Sequence, residues 1–175
     1  MKRSVLSSQF LGFIFVSVFG TFLHFVYEWS GENIIAALFS AVNESTWEHM
    51  KLLFFSAFAY SLIQYKSIGK EYGNYWCIKL KGISLGLILI PVLFYTCNGA
   101  FGKSPDWVNI SIFFISAAIA CIFETKLFIR SNFDAPKRKG CLAVLCLIGV
   151  LFLLFTFIQP HIPLFMDPST LLYGR

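Results

Sequence analysis

His24 and Glu28 stand one helical turn apart, and Glu44, Glu48 and His49 follow within one polar run, Asn43-Glu-Ser-Thr-Trp-Glu-His-Met-Lys51. Imidazole nitrogens and carboxylate oxygens are ligands of zinc, and equally of iron or manganese. A divalent ion held by such groups activates water, and a spare carboxylate can move the proton. His24, Glu28, His49 and His161 are therefore the candidate metal ligands, with Glu48 and Glu44 as candidate catalytic carboxylates. His161 lies in Gln159-Pro-His-Ile-Pro163, where flanking prolines favour an extended backbone. The sequence contains no H-E-x-x-H and no C-x-x-C, so no metalloprotease or zinc-ribbon motif narrows the reading.

Each of these residues also has a structural explanation. Ser45-x-x-Glu48 is a capping-box pattern, in which Ser45 accepts the N–H of Glu48 and Glu48 reaches back to the N–H of Ser45. Glu44 and Glu48 suit the positive end of a helix dipole. His24 and Glu28 can simply hydrogen-bond each other. Glu48 and His49 are adjacent in sequence and point about 100° apart around a helix, so the two need not serve one site.

The elements that hold these groups must lie in a bilayer. Of the 175 residues 57% are hydrophobic and 13% charged, about half the charge of an ordinary soluble domain. The mean hydropathy is +0.72. So much apolar surface cannot be hidden in one small core, and lipid must solvate it. Five stretches approach the roughly 20 residues that cross a hydrocarbon layer: residues 9–27, 45–65, 76–97, 107–125 and 141–159. Residues 34–42 are apolar but too short to span, and are expected to form an interfacial or re-entrant helix. The expected fold is an all-α polytopic transmembrane bundle occupying residues 1–175 as one membrane domain. The first span is too long for a signal h-region and is expected to stay attached.

Charge sets the orientation. With the N-terminus inside and five crossings, the inner segments 1–8, 66–81 and 124–140 hold eleven of the 14 basic residues: Lys2, Arg3, Lys66, Lys70, Lys79, Lys81, Lys126, Arg130, Lys137, Arg138 and Lys139. Lys51, Lys103 and Arg175 remain outside, and so does the C-terminus. The net charge of +5 thus reads as a topological address, answered by anionic headgroups and not by nucleic acid. Most acids and all three histidines fall at the outer face. Tyr27, Trp29, Trp47, Tyr95 and Trp107 are expected as an outer aromatic belt, and Tyr65, Tyr72, Tyr75 and Trp76 as the inner one.

Five cysteines make an odd count, and apolar packing, not a disulfide framework, is their expected role. Gly82-x-x-x-Gly86 lets a neighbouring helix approach closely, and Pro91 in the same span is expected to kink it. Ser17, Thr21, His24 and Glu28 form one polar stripe; Ser45, His49, Ser56, Tyr60 and Gln64 form a second on the next span. Packed together, the two would line a polar cavity open to the outside. The inner half offers no membrane-embedded acid to extend a proton path. The tail 164–175 can either fold over the outer mouth or hang free.

The runs Gly20–Gly31, Asn43–Phe54 and Pro160–Pro168, above all Asn-Glu-Ser-Thr-Trp-Glu-His, resemble an uncharacterised family of small bacterial polytopic membrane proteins. The resemblance implies a multi-pass protein of the bacterial cytoplasmic membrane and carries no activity. Three functions fit the residues: a membrane-embedded metal-dependent hydrolase of a lipid or other amphipathic substrate, a small transporter or proton- or cation-conducting module, or a non-catalytic accessory protein. Intramembrane ionisable groups favour the first.

Overall fold

The computed structural model describes residues 2–102, 105–131 and 140–174. Lys103, Arg175 and the 132–139 stretch with Asp134, Pro136, Lys137, Arg138 and Lys139 lie outside the described residues. Among the described residues there are five long α-helices and one short one: α1 (Lys2–Trp29), α2 (Ile34–Ala37), α3 (Thr46–Ser67), α4 (Tyr75–Phe101), α5 (Asp106–Arg130) and α6 (Gly140–Phe157). No strand occurs among the described residues. A helix satisfies every backbone donor and acceptor within itself, which is what a backbone in hydrocarbon requires.

Among the described residues four helices are long and apolar enough to cross a membrane: Ser4–Trp29, Tyr75–Phe101, Trp107–Arg130 and Gly140–Phe157. The protein is an integral membrane protein. Helix α3 falls outside that set because it carries Glu48, His49, Lys51 and Lys66, yet its buried side chains include Glu48, Lys51, Ser56, Ser61 and Gln64. It packs against α1, α4, α5 and α6. A helix enclosed by others needs no lipid-compatible face, so its polar groups turn inward.

Contacts at both ends show that neighbours in sequence run antiparallel. At one end Tyr60 of α3 donates to the Ser8 carbonyl of α1, Tyr75 of α4 donates to the Ser61 carbonyl of α3, and Lys79 of α4 meets Glu124 of α5. At the other, His24 of α1 stacks edge-on against His49 of α3. The helices therefore share a lysine-rich end and a His/Glu end. Between them lies a core built from Val16, Leu52, Leu53, Phe54, Ile83, Leu87, Ile90 and Phe152.

Several expectations change here. Cys77 and Cys141 form a disulfide with Cα atoms 5.0 Å apart, because α4 and α6 run parallel and begin side by side. Lys79 and Glu124, expected at the inner ends of spans 76–97 and 107–125, are 3% and 5% exposed and pair with each other, so the lysine-rich half does contain an embedded acid. Trp47 packs with Phe152, Phe155 and Phe165 instead of standing in a belt, and Tyr75 is core. Trp29 and Trp107 do face outward. Residues 34–42 give only one helical turn, Ile34–Ala37, capped by Asn33; the segment after it is drawn into tertiary bonds. Pro91 sits inside α4. Gly82 serves close approach as expected, with α5's Glu124 lying against it.

Candidate metal centre at the His/Glu end

Ser40 prepares the site. Its hydroxyl accepts the Tyr27 N–H at 2.8 Å and donates to the Leu23 carbonyl, inserting into the hydrogen-bond ladder of α1 beside His24. That insertion pins the α2–α3 connection onto α1. Asn43 then accepts the Ser45 N–H at 3.0 Å, and Ser45 caps α3 by accepting the Glu48 N–H at 3.4 Å. Glu44, between these two polar anchors, is thereby aimed at the imidazoles.

His24 Nε2 lies 3.4 Å from Glu44 Oε1, and His49 Nε2 lies 3.7 Å from Glu44 Oε2. Ligand atoms of the three residues all fall within 4.8 Å of one another, the grouping found among the described residues that could hold a metal ion. A tetrahedral ion bound at about 2.0–2.1 Å sets its ligands roughly 3.3 Å apart, so small side-chain adjustments would close the set. His49 Nδ1 stands 3.0 Å from the Ser45 carbonyl. A carbonyl only accepts, so Nδ1 carries the proton and Nε2 presents its lone pair toward Glu44. Two imidazoles and one carboxylate leave a coordination position open, the pattern of catalytic and not structural sites.

Glu44 lies outside the helices and is held below the usual carboxylate range. The hydrogen bond from His24 is the main cause; burial opposes it, and the fields of His24 and His49 reinforce it. Asp167 is held low as well. Burial alone would raise it, but the Ser169 hydroxyl and the N–H groups of Ser169, Thr170 and Glu44 outweigh that.

The other expected site residues lie elsewhere. Glu28 is exposed and outside the cluster; Glu44, sixteen residues further on, takes the place its spacing promised. His161 is exposed and stacks on Tyr173 with ring centroids 4.8 Å apart. Glu48 is fully enclosed. Its Oε2 accepts from Lys51 Nζ at 2.6 Å and from the Val42 N–H at 3.1 Å, so the second half of the capping box does not form. Lys51 Nζ also donates to the Ala37 carbonyl and Thr156 Oγ1. Glu48 therefore joins α2, α3 and α6, and it does not border the cavity at the histidines.

That cavity has a volume of about 550 Å³ and is bordered by His24, Glu44 and His49 at its polar end. The tail folds over it. Pro168 and Ser169 contribute to the lining, Asn43 Nδ2 donates to the Gly174 carbonyl at 2.7 Å, and the Gly174 N–H donates to Gln159 Oε1 at 2.8 Å. Phe165 is buried against Trp47 and Phe155. Asp167 stands in the run Pro160–Pro168, whereas nothing in the sequence marks Ser40.

A family model described as "Family of unknown function (DUF6512)" matches residues 4–175. No curated protein and no solved structure matches the chain.

Proposed function

The chain belongs to that family of unknown function, which brings no activity with it, and from the site itself we propose a membrane-embedded, metal-dependent hydrolase of a lipid or amphipathic substrate. The reading rests on one observation: His24, Glu44 and His49 converge at the polar end of a large cavity with His49 Nε2 free to ligate. A divalent ion bound there would polarise an ester or phosphoryl oxygen and bring the pKa of a bound water toward neutrality. His24 and His49 would hold it, and Glu44 would ligate through one oxygen, leaving the second to accept a proton. Ser45 fixes the His49 ring. Glu48 supports the site from behind and does not touch the substrate.

Purified protein is expected to carry close to one zinc, iron or manganese per chain. His49→Ala or His24→Ala should lower metal affinity by at least about 100-fold, beyond the 10–100-fold typical of outer-shell changes. Metal analysis of wild type and both variants checks this; wild-type protein that stays metal-free after incubation with all three ions would remove the proposal.

We also read α3 as a fifth crossing, since its 22 residues run antiparallel between spanning helices of similar length, with the His/Glu end facing outside the bacterial cytoplasmic membrane. Lys66, Lys70, Lys81, Lys126 and Arg130 gather at the opposite end. A membrane-impermeant maleimide applied to intact cells should label Thr170→Cys above the wild-type background and leave Lys70→Cys unlabelled; the reverse pattern inverts the topology.

The conducting alternative gains the embedded Glu124. Between it and the histidines, however, lie Val16, Leu52, Leu53, Ile83 and Ile90 of the apolar core, and no polar chain crosses that layer among the described residues.

A further inference from the structure

The cavity below the histidines has a polarity gradient that matches the membrane around it. Thr46, His49, Asn98 and Asn109 border it within about one turn of their helix ends. Ile90 and Phe113 border it deeper, roughly 16 and 10 Å from the same ends of α4 and α5 by helical rise. Half of a hydrocarbon layer is about 15 Å, so the space occupies the depth of one leaflet, polar at the headgroup level and apolar beneath.

Its walls differ in what they face. On the aqueous side the tail is tied down by Asn43, Gln159 and Glu44. On the bilayer side, α1 and α5 touch at Gly20, where an added Cβ would meet Phe113 at 2.5 Å. Toward the His/Glu end from that contact, Phe25 of α1 and Ile110 of α5 both line the cavity while remaining 40% and 56% exposed on membrane-crossing helices. Side chains that border a cavity and also face lipid mark an opening into lipid. Asn109 Oδ1 is buried without a hydrogen-bond partner, an acceptor available to a hydroxyl or amide N–H.

We infer that the cavity is a chain pocket that fills sideways from the bilayer, between α1 and α5, with a hydrocarbon chain of a membrane lipid whose head then lies at His24, Glu44 and His49. This rests on the hydrolase reading for what happens at the head, and it deepens that reading by making the substrate a bilayer lipid and not a water-soluble amphiphile. The volume suits it: about 550 Å³ falls within the ordinary range for small-molecule pockets, ample for one chain. A water-soluble substrate would instead need a route through the tied-down tail.

The test places a tryptophan inside the pocket. Leu52 lines it and is 2% exposed, so Leu52→Trp is shielded from lipid outside the bundle; Phe54→Trp, 1% exposed and packed toward α6 beside Gly149, is the matched control. Ile90→Trp, on the opposite cavity wall, serves if Leu52→Trp does not fold. In vesicles of phosphatidylcholine brominated on its chains, the emission added at position 52 or 90 should be largely lost, with that of Phe54→Trp retained and acrylamide without effect. Quenching by acrylamide but not by brominated chains would overturn the inference in favour of a water-filled pocket. Quenching by neither would overturn it in favour of a closed one. Metal content measured on the same preparations separates the two readings: metal without chain quenching sinks the lipid pocket alone, and chain quenching without metal sinks the hydrolase alone.

Discussion

Lys51→Met is expected to cost about 3–5 kcal/mol of stability, the penalty for stranding one member of a buried ion pair. Lys51 and Glu48 are both fully buried, and their 2.6 Å contact is the main compensation for each charge. Without the ammonium, the Glu48 carboxylate keeps only the Val42 N–H, and the Ala37 carbonyl and Thr156 hydroxyl lose their shared donor. Glu48→Gln should be nearly as costly, because it leaves the ammonium buried. The double variant Glu48→Leu/Lys51→Met should recover most of the loss, since a neutral, well-packed core can replace such a pair. Denaturant midpoints in mixed micelles for the three proteins check this. A Glu48→Gln protein that unfolds like wild type but lacks activity would restore Glu48 to a catalytic role.

A comparable loss is expected at the opposite end. Lys79 and Glu124 stand 2.5 Å apart with side chains 4% and 6% exposed, and Lys79→Met should again cost about 3–5 kcal/mol. Gly82 makes the pair possible: an added Cβ would sit 2.1 Å from Glu124 Cγ and 2.4 Å from its Oε1. Gly82→Ala must therefore push Glu124 off Lys79, and a destabilisation approaching that of Lys79→Met is expected. At Gly86 the nearest atoms are Leu53 Cδ2 at 3.1 Å and the Ala120 Cβ at 3.3 Å, so Gly86→Ala should cost only about 1–3 kcal/mol, as ordinary overpacking does. Thermal unfolding of the three variants in detergent ranks them; equal effects at Gly82 and Gly86 would show that helix spacing, not the ion pair, is at stake. The neighbouring Gln9 borders a cavity of about 30 Å³, enough for bound water.

The class of protein was legible from the sequence, because apolar content and the length of contiguous apolar runs are properties of the chain and not of its tertiary arrangement. The pairing of the two polar stripes was also legible in part. His24 and His49 do meet, since consecutive antiparallel helices bring the end of one to the start of the next. Which carboxylate would join them was not. Spacing favoured Glu28, four residues from His24, but the connection after α2 folds back through Ser40 and delivers Glu44 instead. Local periodicity describes one helix at a time and says nothing of a loop anchored to another.

The same limit explains Lys79, Glu124 and Lys51. Hydropathy counts each charge as a separate cost and does not say which charges pair, whereas two opposite charges in contact inside a bundle largely cancel. Cys77 and Cys141, 64 residues apart, could not be paired without knowing that α4 and α6 start side by side. The amino-acid order alone determined a helical membrane protein with its basic residues gathered at one end and two histidine-bearing helices in succession, because hydrophobicity and periodicity are properties of the chain itself. Only the tertiary structure decided that Glu44 completes the histidine cluster, that Glu48 is held by Lys51, and that a cavity of about 550 Å³ opens beneath, because each depends on contacts between segments whose separation no local pattern encodes.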